Sequence, residues 1–115
     1  MSNQAILQKA NAAVTAGDNE AFLACCTDDI VWSTVGGDTL HGKEAVRQFM
    51  TQEYTRPPEF NVHTLLEDGD YVVALGDITA EGPAGKPVPH AYCDVWRFRD
   101  GKMAELRAFV IPVGG

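Results

Sequence analysis

No stretch of this chain stays apolar long enough to cross a membrane, and no charged-then-apolar leader opens it, so a cytoplasmic protein is expected. Basic residues are scarce: 9 Lys and Arg stand against 16 Asp and Glu, for a net charge of −7. Without a basic cluster, neither nucleic acid nor an anionic membrane surface is expected as a partner. Cysteine is scarce too, and two of the three residues are the adjacent Cys25 and Cys26. Adjacent thiols suit neither a disulfide framework nor the separated ligand pairs of a zinc site, so they read as buried free thiols. His41, His63 and His90 are scattered, with no His-Glu-x-x-His spacing, and no glycine-rich loop follows a strand. Hence no metal and no cofactor is expected. Repeats, linkers and low-complexity segments are lacking as well, and 115 residues make a single domain over 1–115 with one modest core.

What the chain does have is periodicity. Ile6, Leu7, Ala10, Ala13 and Val14 fall at helical spacing between Asn3 and Ala16, with Ser2 or Asn3 as cap and Gly17 as terminator. Asp18 then caps a short second helix through Phe22 and Cys25. Ile30 to Val35 reads as a strand, and Leu40-His41-Gly42 as a structural turn. A third helix runs from Lys43 to Glu53, and Arg56-Pro57-Pro58 cannot continue it. Strands follow over Phe60–Leu66, Tyr71–Glu81, His90–Phe98 and Met103–Ile111, joined by turns at Asp68-Gly69, Gly82–Pro87 and Asp100-Gly101. Helices first and a meander afterwards is the α+β pattern.

The run Tyr92-Cys93-Asp94-Val95-Trp96-Arg97-Phe98 alternates, which gives it two faces. Tyr92, Asp94, Trp96 and Phe98 share one; Cys93, Val95 and Arg97 share the other. A carboxylate between two aromatics is costly on a buried surface unless it is paired or protonated. On an outward-facing strand it would simply be solvated. Asp94 is the first candidate for chemistry.

Ala16-Gly17-Asp18 through Phe22, Asp28-Asp29-Ile30-Val31-Trp32, Leu40-His41-Gly42-Lys43-Glu44-Ala45 and the segment from Asp94 to Lys102 together span nearly the whole chain. In this order they resemble the SnoaL-like and ketosteroid isomerase-like branch of the nuclear transport factor 2-like superfamily. The resemblance implies a cone-shaped α+β barrel, with a curved, mostly antiparallel sheet wrapped around three N-terminal helices. It also implies an apolar interior pocket and a homodimer through the outer sheet face. Asp94 lies where ketosteroid isomerases carry the carboxylic acid of their oxyanion hole. The positions of that family's tyrosine and general-base aspartate fall near Ala10 and Thr34, which lack the needed groups, so steroid isomerisation by that route is not expected.

His90, Tyr92 and Asp94 recur with a period of two, and Asp77 on the preceding strand is a second carboxylate and a candidate to share the pocket. A carboxyl beside a histidine, or two carboxyls, is common equipment for general acid–base catalysis. The alternative places Asp77 and His90 at the hairpin mouth, solvated and inert. The catalytic candidates are therefore Asp94, His90 and Asp77, with Tyr92, Trp96, Trp32 and Thr34 as ligand-binding candidates. His63 is expected to be exposed. The leading functional expectation is a small cofactor-independent enzyme transferring protons on an apolar, carbonyl-bearing small molecule, as an isomerase, cyclase or hydro-lyase. The runner-up is a non-catalytic binding protein for a hydrophobic ligand. A third reading is an interaction domain whose pocket is filled by its own side chains.

Overall fold

The computed structural model describes residues 2–81 and 85–113. The chain runs α1 (Asn3–Thr15), α2 (Asn19–Leu23), β1 (Cys26–Thr34), β2 (Thr39–His41), α3 (Lys43–Glu53), β3 (Glu59–Asp68), β4 (Tyr71–Glu81), β5 (Pro87–Arg99) and β6 (Lys102–Pro112). The six strands form one curved sheet in the order β2-β1-β6-β5-β4-β3, unclosed at its edges. All neighbours are antiparallel except β1 and β6.

Local signals in the sequence set most of these bounds. The Ser2 hydroxyl accepts the Ala5 amide at 3.1 Å, and the Asp18 carboxylate accepts the Ala21 amide at 3.1 Å, satisfying donors that a helix start leaves free. Gly42, at the start of α3, has φ +91° and donates its amide to the Ile30 carbonyl at 2.7 Å, a conformation that strains a residue with a Cβ. The β5–β6 turn takes Asp100 and Gly101 at positive φ, as a tight two-residue hairpin requires.

Three expectations need correcting. Thr39 to His41 is a short strand paired with β1 rather than a plain turn, its length too small to show periodicity. β1 begins at Cys26, ahead of Ile30, because an irregularity between Cys26 and Val31 hides the alternation. β5 starts three residues before His90 and ends one after Phe98, and β6 runs one residue beyond Met103–Ile111 at each end, since backbone pairing continues past the core. Part of the Gly82–Pro87 turn, Gly82 to Ala84, lies outside the described residues.

The helices fill the concave side of the sheet. Leu7, Ala10, Ala13 and Val14 of α1, Phe22 and Leu23 of α2, and Val46 and Met50 of α3 are buried against Ile30, Val72, Trp96, Phe98, Met103 and Leu106. Arg47 of α3 ties the helices together from outside, donating to both Glu20 and Glu44. No helix among the described residues is long and apolar enough to cross a membrane.

Candidate functional site

Strand β5 carries the site, and its register decides which side chains meet. Trp96 stands opposite Val72 and Leu106, Asp94 opposite Ala74 and Ala108, and Tyr92 opposite Gly76 and Val110. Directly opposed residues share a face, so all three β5 side chains point to the concave side. Trp96 and Tyr92 are buried. Cys93, Val95 and Arg97 are on the convex side, where Arg97 reaches Glu105 of β6 at 3.4 Å.

The aromatic residues assemble around this face. Trp96 packs edge-on to Trp32 at 6.2 Å and to Phe22 at 6.3 Å between ring centroids. Trp32 continues to Phe49 at 5.6 Å, and Phe49 to Tyr54 at 5.7 Å. Tyr54, just past the C-terminus of α3, is the residue that sequence reasoning missed. Its apolar neighbours had marked only the stripe of the helix, and nothing local ties it to a strand 40 positions away.

Asp94 sits inside this shell. It is deeply enclosed by protein, though not wholly shut off from solvent. Among the described residues no hydrogen bond or ion pair reaches its carboxyl. Burial therefore acts unopposed and pushes its pKa up to about 7. The two nearby phenols respond in the same direction. Burial first, then the charge of Asp94, pushes Tyr54 up to about 12; burial, then Asp94 and more weakly Asp77, does the same to Tyr92. At neutral pH both phenols keep their protons and remain hydrogen-bond donors.

Tyr92 reaches across to β4. A Cβ on Gly76 would lie 2.9 Å from the Tyr92 hydroxyl and 2.0 Å from the Asn61 carbonyl oxygen, so the phenol rests over bare glycine backbone. Thr34 pairs with Ala108 from the other side, two strands from Asp94, or about 10 Å at the usual strand spacing. Thr34 and Trp32 are half-buried.

The other two catalytic candidates are not brought to Asp94. Asp77 pairs with Ala91, one residue out of phase with the Asp94 face, and its exposed carboxylate takes His63 Nε2 at 2.8 Å on the convex side. Its expected pocket placement is corrected by that one-residue phase. His90 keeps the Asp94 phase but lies four residues along β5, about 13 Å at the strand rise. Its Nδ1 donates to the Val88 carbonyl at 2.9 Å, leaving Nε2 as the acceptor nitrogen. His63 is exposed.

Hollows open on the surface of the described residues. A cleft of about 620 Å³ lies between the end of α3 and the β4–β5 hairpin, lined by Phe49, Tyr54, Pro57, Pro58, Ile78 and Pro87 among others. Tyr54 lines this cleft and is close enough to Asp94 to feel its charge. A smaller groove of about 370 Å³ lies between α1 and β3, bordered by Gln4, Gln8, Asn11 and His63, away from the Asp94 strand. Among the described residues no group of His, Cys, Asp and Glu could hold a metal ion.

A sequence model of the SnoaL-like domain matches residues 7–106, nearly the whole chain. The chain belongs to the SnoaL-like domain family. Its fold is that of the nuclear transport factor 2-like (NTF2-like) superfamily, as the solved structures confirm. An NTF2-like protein of unknown function from Burkholderia pseudomallei K96243 superposes with a TM-score of 0.83 at 23% identity, over 94% of this chain and 90% of that one. TerC, co-crystallised with polyporic acid, superposes at 0.81 and 21% identity over 92% of this chain and 88% of its own. An LEH-like epoxide hydrolase from M. tuberculosis does so at 0.81 and 20% identity, over 91% and 79%. At these identities the likeness of this SnoaL-like domain to each structure is one of fold. No curated protein sequence matches it.

Proposed function

We propose that this SnoaL-like domain is a small cofactor-independent enzyme that moves a proton on a carbonyl-bearing, largely apolar small molecule. The observation that supports this reading best is the enclosed carboxyl of Asp94, which has no hydrogen-bond or ion-pair partner among the described residues and lies close enough to two phenols for them to feel its charge. A carboxyl that titrates near neutrality is matched to accepting and returning a proton at working pH. In the proposed step the Asp94 carboxylate takes the proton from the carbon next to the substrate carbonyl. The C–H electron pair becomes the enolate, and its oxygen accepts a hydrogen bond from Tyr54 or Tyr92. Asp94 then returns the proton to another atom of the conjugated system, which makes the net reaction an isomerisation, or sets up ring closure or loss of water. Each phenol holds its proton far more tightly than Asp94 does, so they donate hydrogen bonds while the carboxyl does the transfer.

The test is deuterium exchange. Ring ketones incubated with the protein in D₂O should exchange their α-hydrogens faster than in buffer, and Asp94→Asn should abolish the acceleration. No acceleration with the wild-type protein would refute catalysis. One observation favours a second reading, a non-catalytic binding protein: among the described residues Asp94 has no hydrogen-bonded titratable partner, which suits a single group orienting a ligand. Ketone binding that perturbs Asp94 without exchange would select it.

We further propose that two copies pair through the convex sheet face. Leu66, Tyr71, Leu75 and Ile111 are exposed there, beside Arg107 stacked 5.7 Å above the Phe109 ring. An apolar patch of this kind on an acidic protein suits a self-complementary contact.

A further inference from the structure

The cleft between the end of α3 and the β4–β5 hairpin has an apolar wall and an acidic rim. Phe49 and Tyr54 lie edge to face at 5.7 Å between ring centroids, and Pro57, Pro58 and Pro87 extend this wall. At the rim Glu53 ends α3 and Glu59 begins β3, both exposed, and Arg56 is the one basic lining residue among those described. A volume of about 620 Å³ is that of a small-molecule site. The electrostatics of the place favour a cation. α3 has no basic residue in its last turn and closes on Glu53, so the partial negative charge of its final carbonyls is reinforced instead of offset. Glu53 is close enough to Tyr54 for its charge to act on the phenol. That phenol is enclosed, yet it has no hydrogen-bond partner among the described residues, whereas enclosed hydroxyls are normally bonded. Its oxygen is free to accept a bond from an ammonium, and the two rings attract a cation through their π-faces. An anion would meet like charge here and across the whole protein, at −7.

We propose that this cleft binds a small arylalkyl amine. The aromatic body lies against Phe49, Tyr54 and the prolines, and the ammonium points toward Glu53 and Glu59 while donating a hydrogen bond to the Tyr54 oxygen. A purely apolar guest would leave the phenol and the end of α3 unanswered. Nothing in this assignment depends on the role of Asp94.

The experiment follows the ring signals of ¹³C-labelled tyrosine, of which the chain has 3, with Tyr54 assigned by its loss in Tyr54→Phe. The probes share a phenylalkyl body and differ in charge: 2-phenylethylamine, 2-phenylethanol and 3-phenylpropionate. At neutral pH the Tyr54 signal should respond to the amine at a concentration about fivefold or more below that needed for the alcohol, and least to the carboxylate. Glu53→Gln combined with Glu59→Gln should erase the preference for the amine. Asp68→Asn combined with Asp70→Asn removes the same charge about 30 Å away, at the far end of β3, and should leave the preference intact. That contrast separates a local site from the field of the whole protein. All four residues are exposed, so both double variants should fold. Equal responses to amine and alcohol, a preference that survives the change at Glu53 and Glu59, or one lost equally in the distant variant would overturn the assignment. So would a Tyr54 signal that none of the probes moves.

Discussion

Replacing Asp94 by Asn should make the protein more stable at neutral pH, which is unusual for a change at a buried polar position. The folded carboxyl titrates at about 7 against an ordinary 3.8, so the folded state holds this proton more tightly than the unfolded chain does. A raised folded pKa favours the native state while the group is neutral, below the unfolded value. As pH rises above roughly 4 the unfolded chain releases its proton and gains relative stability, and the penalty levels off above about 7. The interval is about three pH units, each worth ~1.4 kcal/mol, so the ionised carboxyl costs up to about 4 kcal/mol at pH 8. The Asn amide escapes the charge penalty but is itself a buried polar group without partners, at about 1–3 kcal/mol. The net gain for Asp94→Asn should therefore be about 1–3 kcal/mol at pH 8, turning into a loss of about 1–3 kcal/mol at pH 4, where the charge penalty is gone and the amide cost remains. Urea unfolding of both proteins at half-unit steps between pH ~4 and ~8 reads this directly. Two curves that run parallel, or a variant less stable at every pH, would show that the carboxylate is paired and structural, and the reasoning would fail.

Other substitutions probe the frame around the site. Gly76→Ala should destabilise by about 2–4 kcal/mol in thermal melts, since its Cβ would sit 2.0 Å from the Asn61 carbonyl oxygen, an atom of fixed backbone. A melting temperature within a degree of wild type would contradict the placement of Tyr92 over bare glycine. Asp77→Asn should change stability by under about 0.5 kcal/mol and leave ketone exchange untouched, because Asp77 and His63 form an exposed pair on the opposite face. Loss of exchange in that variant would return Asp77 to the site. Light scattering should show a dimer at micromolar concentration, and Leu75→Lys on the convex face should yield a monomer that still folds. A wild-type monomer would refute the proposed pairing.

The alternation from Tyr92 to Phe98 was sufficient to place Asp94, Tyr92 and Trp96 on the inner face, because period-two patterning transmits one residue's side to the whole strand. The same logic applied to β4 alone could not say which of its faces looked inward: Val73, Leu75, Asp77 and Thr79 alternate with Val72, Ala74, Gly76 and Ile78, and both sets are apolar enough to be core. Only the register with β5, where Ala74 meets Asp94, puts Asp77 outside. Likewise Tyr54 reaches the site through the ending of α3 and the Pro57-Pro58 turn behind it, a tertiary placement that no local period encodes.

The most direct test of the central claim is the titration of Asp94 itself. Followed through its side-chain carboxyl ¹³C signal in the free protein, Asp94 should show a midpoint near 7. Addition of a ring ketone such as cyclohexanone should then move the signal at neutral pH, as the ligand settles beside the carboxyl. A midpoint near the ordinary 3.8, with no response to the ketone, would mean a solvated or paired carboxylate and would contradict the account.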